Sequence, residues 1–216
     1  MNDILTKQLA RMNLYALISR LLMKELDETA LQQLDEDEMM LSFFPNYRQW
    51  EKRSELSRKD LLARFLNVDF TNLFVLHLIP YETFYTRDDQ MLETGGDNPV
   101  RKVYERFDFR VSLEKARAVS PDHIGIELEF MYMLCASEYK ALKEGDKSSA
   151  CTLARVERDF LRDHLLRWAP MFLQNVKAEC ATPLYYDTAS LTLEFMLSDY
   201  EYLHTLIDKE GCDYDA

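Results

Sequence analysis

The chain has 216 residues, 47% apolar and 30% charged, with only five glycines and six prolines. Gly plus Pro is about 5% where ordinary usage is roughly 12%, which leaves few tight turns and argues against a many-stranded sandwich or barrel. The balance of 26 Lys+Arg against 38 Asp+Glu gives a net charge of −12. That field repels phosphate backbones, so nucleic acid is a poor partner and a cationic peptide a better one.

No apolar run reaches the roughly 18 residues of a membrane helix, and the opening Met1-Asn2-Asp3 lacks the basic and apolar regions of a secretory signal. A cytoplasmic protein without stable membrane insertion is expected. The cysteines, at 135, 151, 180 and 212, form no C-x-x-C pair. Zinc and thioredoxin-type chemistry therefore have no support, and free, packed thiols are the simplest expectation.

Helical periodicity runs through almost the whole chain. From Ile4 to Leu26 a stripe falls at Leu5, Leu9, Met12 and Ala16, and 14–23 is apolar nearly all round, as in a buried helix. Asp27 can cap a second helix carrying Leu31 and Leu34, with the acidic run 35–38 as a solvated face or turn. Ser57 and Asp60 resemble a capping box ahead of Leu61, Leu62, Phe65, Leu66, Phe70, Leu73 and Phe74. Pro80 breaks the pattern, and Gly95-Gly96-Asp97-Asn98-Pro99 reads as a turn with Asn98 as cap and Pro99 at the first helical position.

Residues 108–120 read as a connector with one short helix from Ser112. Ser120-Pro121 opens a helix with Ile124, Leu128, Met131 and Cys135 that stops near Gly145. A long helix with Leu153, Val156, Phe160, His164 and Trp168 follows, which Pro170 should kink or restart. Thr182-Pro183 opens the last helix. The fold class is all-α, a compact multi-helix bundle. It packs either as one body or as an N-terminal lobe 1–111, a hinge 112–120 and a C-terminal lobe 121–216.

The usual catalytic patterns are missing. There is no phosphate loop, no G-x-G-x-x-G, no H-E-x-x-H and no G-x-S-x-G. Glu201-x-x-His204 fits the spacing of di-iron bundles once, without the second copy such a site needs. Asp163 and His164 diverge by about 100° on a helix, so they form no dyad. His164 reads instead as a half-buried histidine bonded to a backbone carbonyl. Neither cofactor nor metal is expected.

Three features remain. Pro80-Tyr81-Glu82-Thr83-Phe84-Tyr85 is unusually aromatic for a connector, although its rings could simply roof the core. In Ser120-Pro121-Asp122-His123, Asp122 suits a helix start, whereas His123 is odd in a positive N-terminal field and could serve a ligand. The stripe Phe160, His164, Trp168, Phe172 and Val176 reads as ordinary core.

Together, in this order, these segments resemble the TorD/DmsD/NarJ-like family of redox-enzyme maturation chaperones. The carrying residues are 80–85, the run 120–131 (S-P-D-H-I-G-I-E-L-E-F-M) and the 160–176 stripe; the likeness spans roughly 60–205. Thr83 stands where the family more often has serine, and Asp108-Phe109 where a glycine often ends the preceding helix.

The resemblance implies an all-helical, cytoplasmic, non-enzymatic protein. Its partner would be the apo-form of a molybdenum-cofactor oxidoreductase catalytic subunit of the dimethyl-sulfoxide-reductase type. Members bind that subunit's twin-arginine signal peptide, or a related N-terminal segment, until the cofactor is inserted. Residues matching the family's peptide patch are Tyr81, Tyr85, Asp122 and His123. For the client's guanidiniums, the carboxylates Glu82, Asp122 and Glu127 are the candidates, and Tyr81, Phe84 and Tyr85 suit its apolar stretch. The competing classes are a helical metal- or nucleotide-dependent hydrolase and a helical scaffold or regulator. Monomer and homodimer are both open.

Overall fold

The computed structural model describes residues 2–208, 212 and 214, without the side chains of residues 2, 115 and 208. Among them the protein is all-α. There is no strand, and the one isolated antiparallel bridge joins Tyr81 to His123. Five long helices carry the fold: α1 (Asn2–Met23), α2 (Ile124–Glu144), α3 (Lys147–Phe160), α4 (Leu166–Glu179) and α5 (Pro183–Asp208). The chain divides into two compact units, one of residues 1–23, 81–168 and 195–216, the other of 24–80 and 169–194.

In the first unit α1 runs against α2. A Cβ at Gly125 would lie 2.8 Å from Met23 Cβ, so glycine lets the backbones close, and Ser19 Oγ donates to the Gly125 carbonyl at 2.8 Å. The buried face of α1 is not the expected Leu5–Leu9–Met12–Ala16 stripe, in which Leu9 is exposed. It is Gln8, Arg11, Tyr15, Ile18 and Leu22, because Arg11 is drawn inward by three buried carboxylates. Its Nε and Nη2 fork onto Asp199 at 2.5 and 2.9 Å, Nη2 also reaches Glu157 at 2.5 Å, and Nη1 serves Gln8 at 2.7 Å and Glu138 at 3.0 Å. Burial and the neighbouring Glu138 push the Glu157 carboxyl well up, against the pull of Arg11. An aromatic core of Tyr104, Phe109, Phe130 and Phe160 lies alongside, with centroids 4.8–4.9 Å apart.

The expectation of free thiols is corrected here for two of the four cysteines. Cys151 and Cys212 form a disulfide, while Cys135 and Cys180 are free. Spacing in sequence does not reveal which distant thiols the fold brings together.

The helix at Arg101–Arg106 begins after Val100, two residues later than the Asn98 cap reading; Asn98 instead ties the turn, donating to the Glu93 carbonyl at 2.7 Å and to Ser120 Oγ at 3.0 Å. This helix ends in a Schellman motif. Asp108, at φ 49°, takes the left-handed place that glycine usually fills, Phe109 N–H donates to the Tyr104 carbonyl at 2.9 Å, and the two rings meet at 4.9 Å. Asp108 therefore keeps the geometry despite its Cβ. The connector holds its expected short helix, Leu113–Ala116. Pro170 restarts nothing. It sits inside α4, and the ladder widens into a π turn over Leu161–Leu165 just upstream.

In the second unit, Asp27 caps Glu28–Glu36 through the Ala30 N–H at 2.8 Å, burying Leu31 and Leu34, and Ser57 caps the next helical run. That run, 58–77, contains two π turns and buries Leu62, Leu66, Phe70, Leu73 and Phe74. Phe70, Phe74, Phe172 and Tyr185 pack together, and the buried Asp69 accepts from Thr182 N–H at 2.8 Å and Thr182 Oγ1 at 2.6 Å, fixing the start of α5. The acidic run is not wholly solvated: Asp35 turns inward and accepts from Arg53 at 2.8 Å and the Tyr47 hydroxyl at 3.2 Å.

Candidate functional site

Two motif segments meet in the first unit, and Asp122 joins them. Its side chain is fully buried just before α2. Oδ2 accepts from Thr83 N–H at 2.8 Å and Thr83 Oγ1 at 2.7 Å, while Oδ1 accepts from Ser120 Oγ. The Glu82 N–H adds a bond to the Asp122 carbonyl at 3.0 Å. Threonine in place of the commoner serine keeps the needed hydroxyl, and Thr83 Oγ1 also accepts from the Glu93 N–H at 3.1 Å. Thr83, Glu93, Asn98 and Ser120 thus belong to the site; Glu93 does not stand out in the sequence, and the other three stand there in motif or turn positions rather than as partners of Asp122. A helix start looks complete without them.

His123 is the N-cap of α2, its Nδ1 accepting from the Gly125 N–H at 3.0 Å. A protonated ring could not accept that bond. Burial lowers its pKa to about 4, against the smaller opposing pull of Asp122, so the ring is neutral at pH 7. No stabilising role at this helix start is expected of His123 from sequence; the cap provides one.

The pH dependence follows. Because the folded pKa is depressed, the unfolded chain binds an extra proton between pH 6.5 and about 4. The stability tied to the neutral ring is whole above 6.5 and lost as pH falls toward 4, about 3 kcal/mol in all. His123→Asn keeps a capping oxygen without the titration. In thermal melts, its melting temperature should fall less than that of wild type between pH 7 and 4.5. Parallel acid slopes would contradict the cap assignment.

Below the cap lies a buried carboxyl pair. Glu82 and Glu127 are 1% and 0% exposed. His164, expected to bond a carbonyl, instead places Nδ1 3.0 Å from Glu82 Oε2. Trp168 Nε1 donates to Glu127 Oε2 at 3.3 Å. Burial first, then the facing Glu82 and Asp122 charges, push the Glu127 carboxyl well above its ordinary value. His164 and Trp168, placed by periodicity in ordinary core, hold this pair in position.

Tyr81 is nearly buried, with its hydroxyl accepting from the Val119 N–H at 3.1 Å and its ring edge-on to His123 at 5.1 Å. Tyr85 is half-buried and stacks on Trp168 at 5.4 Å. Half-buried Phe84 touches Tyr85, and Met91 and Val119, 64% and 59% exposed, flank the two motif segments in sequence, as do the exposed Asp88 and Asp89. Of the six residues singled out by sequence, five are inside and Tyr85 reaches the surface. Among the described residues no group of three or more His, Cys, Asp or Glu could hold a metal ion, and no helix is long and apolar enough to cross a membrane.

The sequence family described as nitrate reductase delta subunit matches residues 24–174. The chain belongs to that family. Membership bears out the likeness carried by the 80–85 and 120–131 segments, since TorD chaperones are among the chain's relatives. The chlorate reductase assembly chaperone protein of Ideonella dechloratans is 38% identical over 89 residues, 40% of this chain and 44% of that protein. The selenate reductase assembly chaperone protein of Thauera selenatis is 38% identical over 77 residues, 36% of this chain and 38% of that protein. The chaperone protein TorD of Vibrio cholerae is 31% identical over 150 residues, 67% of this chain and 64% of that protein. These matches therefore span from about two fifths to just under two thirds of each relative. No solved structure matches the chain.

Proposed function

We propose that this member of the delta subunit family is a cytoplasmic assembly chaperone, not an enzyme. Its client is the apo-form of a molybdenum-cofactor reductase catalytic subunit, held by its twin-arginine signal peptide or N-terminal segment until the cofactor is in place. The observation that carries the reading is family membership across 24–174, alongside relatives named as assembly chaperones of chlorate and selenate reductases.

The site supports a division of labour among the six residues. Asp122, His123, Tyr81, Glu82 and Glu127 set the shape of the 81–94 segment from within. Tyr85, with Phe84, Met91 and Val119, offers apolar surface to the peptide's hydrophobic stretch. Exposed Asp88, with the overall charge of −12, attracts the two guanidiniums. A guanidinium reaches Glu82, Asp122 or Glu127 only when 81–94 lifts, because all three are covered. A disordered peptide that orders on binding gives modest, reversible affinity, which suits a chaperone that must release its client.

Co-expression tests this reading. A molybdenum-cofactor reductase catalytic subunit from the same genome should co-purify with this protein when made with its twin-arginine leader in cells unable to synthesise the cofactor. Loss of the leader should abolish or strongly reduce recovery. Equal recovery with and without the leader would contradict signal-peptide holding.

A further inference from the structure

Cys212 and Tyr214, beyond α5 in sequence, are both tied to other elements of the first unit. Cys212 is bonded to Cys151 on α3, across 61 residues of sequence, and both are nearly buried. Two residues further on, the buried Tyr214 donates its hydroxyl to Glu138 Oε1 at 2.7 Å. The other oxygen of that carboxyl accepts from Gln8 at 2.6 Å and Arg11 at 3.0 Å. Cys212 and Tyr214 thus combine a covalent tie to α3 with a hydrogen bond into the charged cluster that joins α1, α2, α3 and α5.

We propose that Cys151 and Cys212 are a thiol–disulfide exchange site that latches Cys212 and Tyr214 in place when oxidised and releases them when reduced. The reactant is a small-molecule or protein thiol–disulfide couple of the glutathione class. In release, a thiolate of the reductant attacks one sulfur and the other leaves as a thiolate. A second reductant thiolate then resolves the mixed disulfide. The reductant ends oxidised to its disulfide, and the two cysteines gain two electrons and two protons.

Three observations support the assignment. The Cα atoms lie 5.6 Å apart, within ordinary bridging range, so the bond can reform without moving the backbone. On the cytoplasmic reading, a disulfide in a reducing compartment is a transient or sensing one rather than a permanent staple. Tyr214 is also anchored in a polar cluster rather than an apolar one. When it leaves, Glu138 Oε1 loses the Tyr214 donor and must turn to water.

The test needs only the purified protein, so it can fail without touching the chaperone reading. Samples are equilibrated at stepped ratios of reduced to oxidised glutathione, quenched with acid, denatured, alkylated and weighed intact. The oxidised form should carry label on Cys135 and Cys180 alone, the reduced form on all four cysteines. Reduction should speed carboxypeptidase removal of residues beyond 208 about tenfold. It should also lower the melting temperature by roughly 5–10 °C, because closing a long loop constrains the unfolded chain. Cys151→Ser should behave as the reduced form in every buffer. Native-state alkylation of the fully buried Cys135 should stay negligible in both forms, showing that the fold persists. A pair that stays bonded at every ratio, a pair that never bonds, or trimming at equal rates in the two forms would each overturn the proposal.

Discussion

Arg11→Ala should destabilise the protein by about 3–5 kcal/mol, measured by urea unfolding at pH 7, the range for breaking a buried ion pair from one side. All five guanidinium hydrogens are committed, to Asp199 twice and to Glu157, Glu138 and Gln8 once each. Removing the cation leaves three carboxyl groups facing one another without water, with Tyr15 donating to Asp199 at 2.7 Å as one of the few remaining partners. Arg11→Lys should recover only part of the loss, since an ammonium cannot fork onto Asp199 while serving the other three. The alanine variant should also regain stability as pH falls toward 5. Burial and the neighbouring Glu138 raise the Glu157 pKa in the folded state, so the native state binds more protons than the unfolded chain in that window. A loss below about 1 kcal/mol would mean the cluster is hydrated in solution.

Asp122→Ala should cost roughly 3–4 kcal/mol, because it strands the Thr83 N–H and two buried hydroxyls. A residue acting only through the helix dipole would cost about 0.3–1 kcal/mol, so thermal and denaturant unfolding separate the two roles clearly. Asp122→Asn keeps one acceptor and should fall between. The pair Asp122→Ala and Thr83→Val should show strong coupling in a double-mutant cycle, since both remove the same bonds. Additive losses would mean that Asp122 does not hold the 81–86 segment. Peptide binding should weaken in Asp122→Ala as well, through a displaced loop rather than a lost contact.

What the sequence made legible follows from where the physics is local. Helix caps depend on neighbours a few residues away, and Asp27, Ser57 and Gly145 act as their positions suggest. The buried spacing of 62, 66, 70 and 73 is likewise a property of one helix. The errors concern partners far apart in the chain. Arg11 faces inward because of residues 138, 157 and 199, and nothing near it in sequence announces them. His164 and Glu82 meet across 82 positions, and Cys151 and Cys212 across 61. The motif residues Asp122 and His123 were visible as unusual. That their polar atoms are spent on Thr83, Ser120 and Gly125 was not, because a sequence shows which groups can hydrogen-bond and not which already do.

The most direct measurement is isothermal titration of a synthetic twin-arginine leader into the protein, beside the same peptide with both arginines changed to lysine. The account predicts saturable binding of the first and affinity about tenfold lower for the second, because an ammonium cannot make the paired hydrogen bonds of a guanidinium. Added salt should weaken the arginine peptide's binding, as attraction to an acidic surface requires. Failure of the twin-arginine leader to bind, or equal affinity for the two peptides, would contradict recognition of the twin-arginine signal.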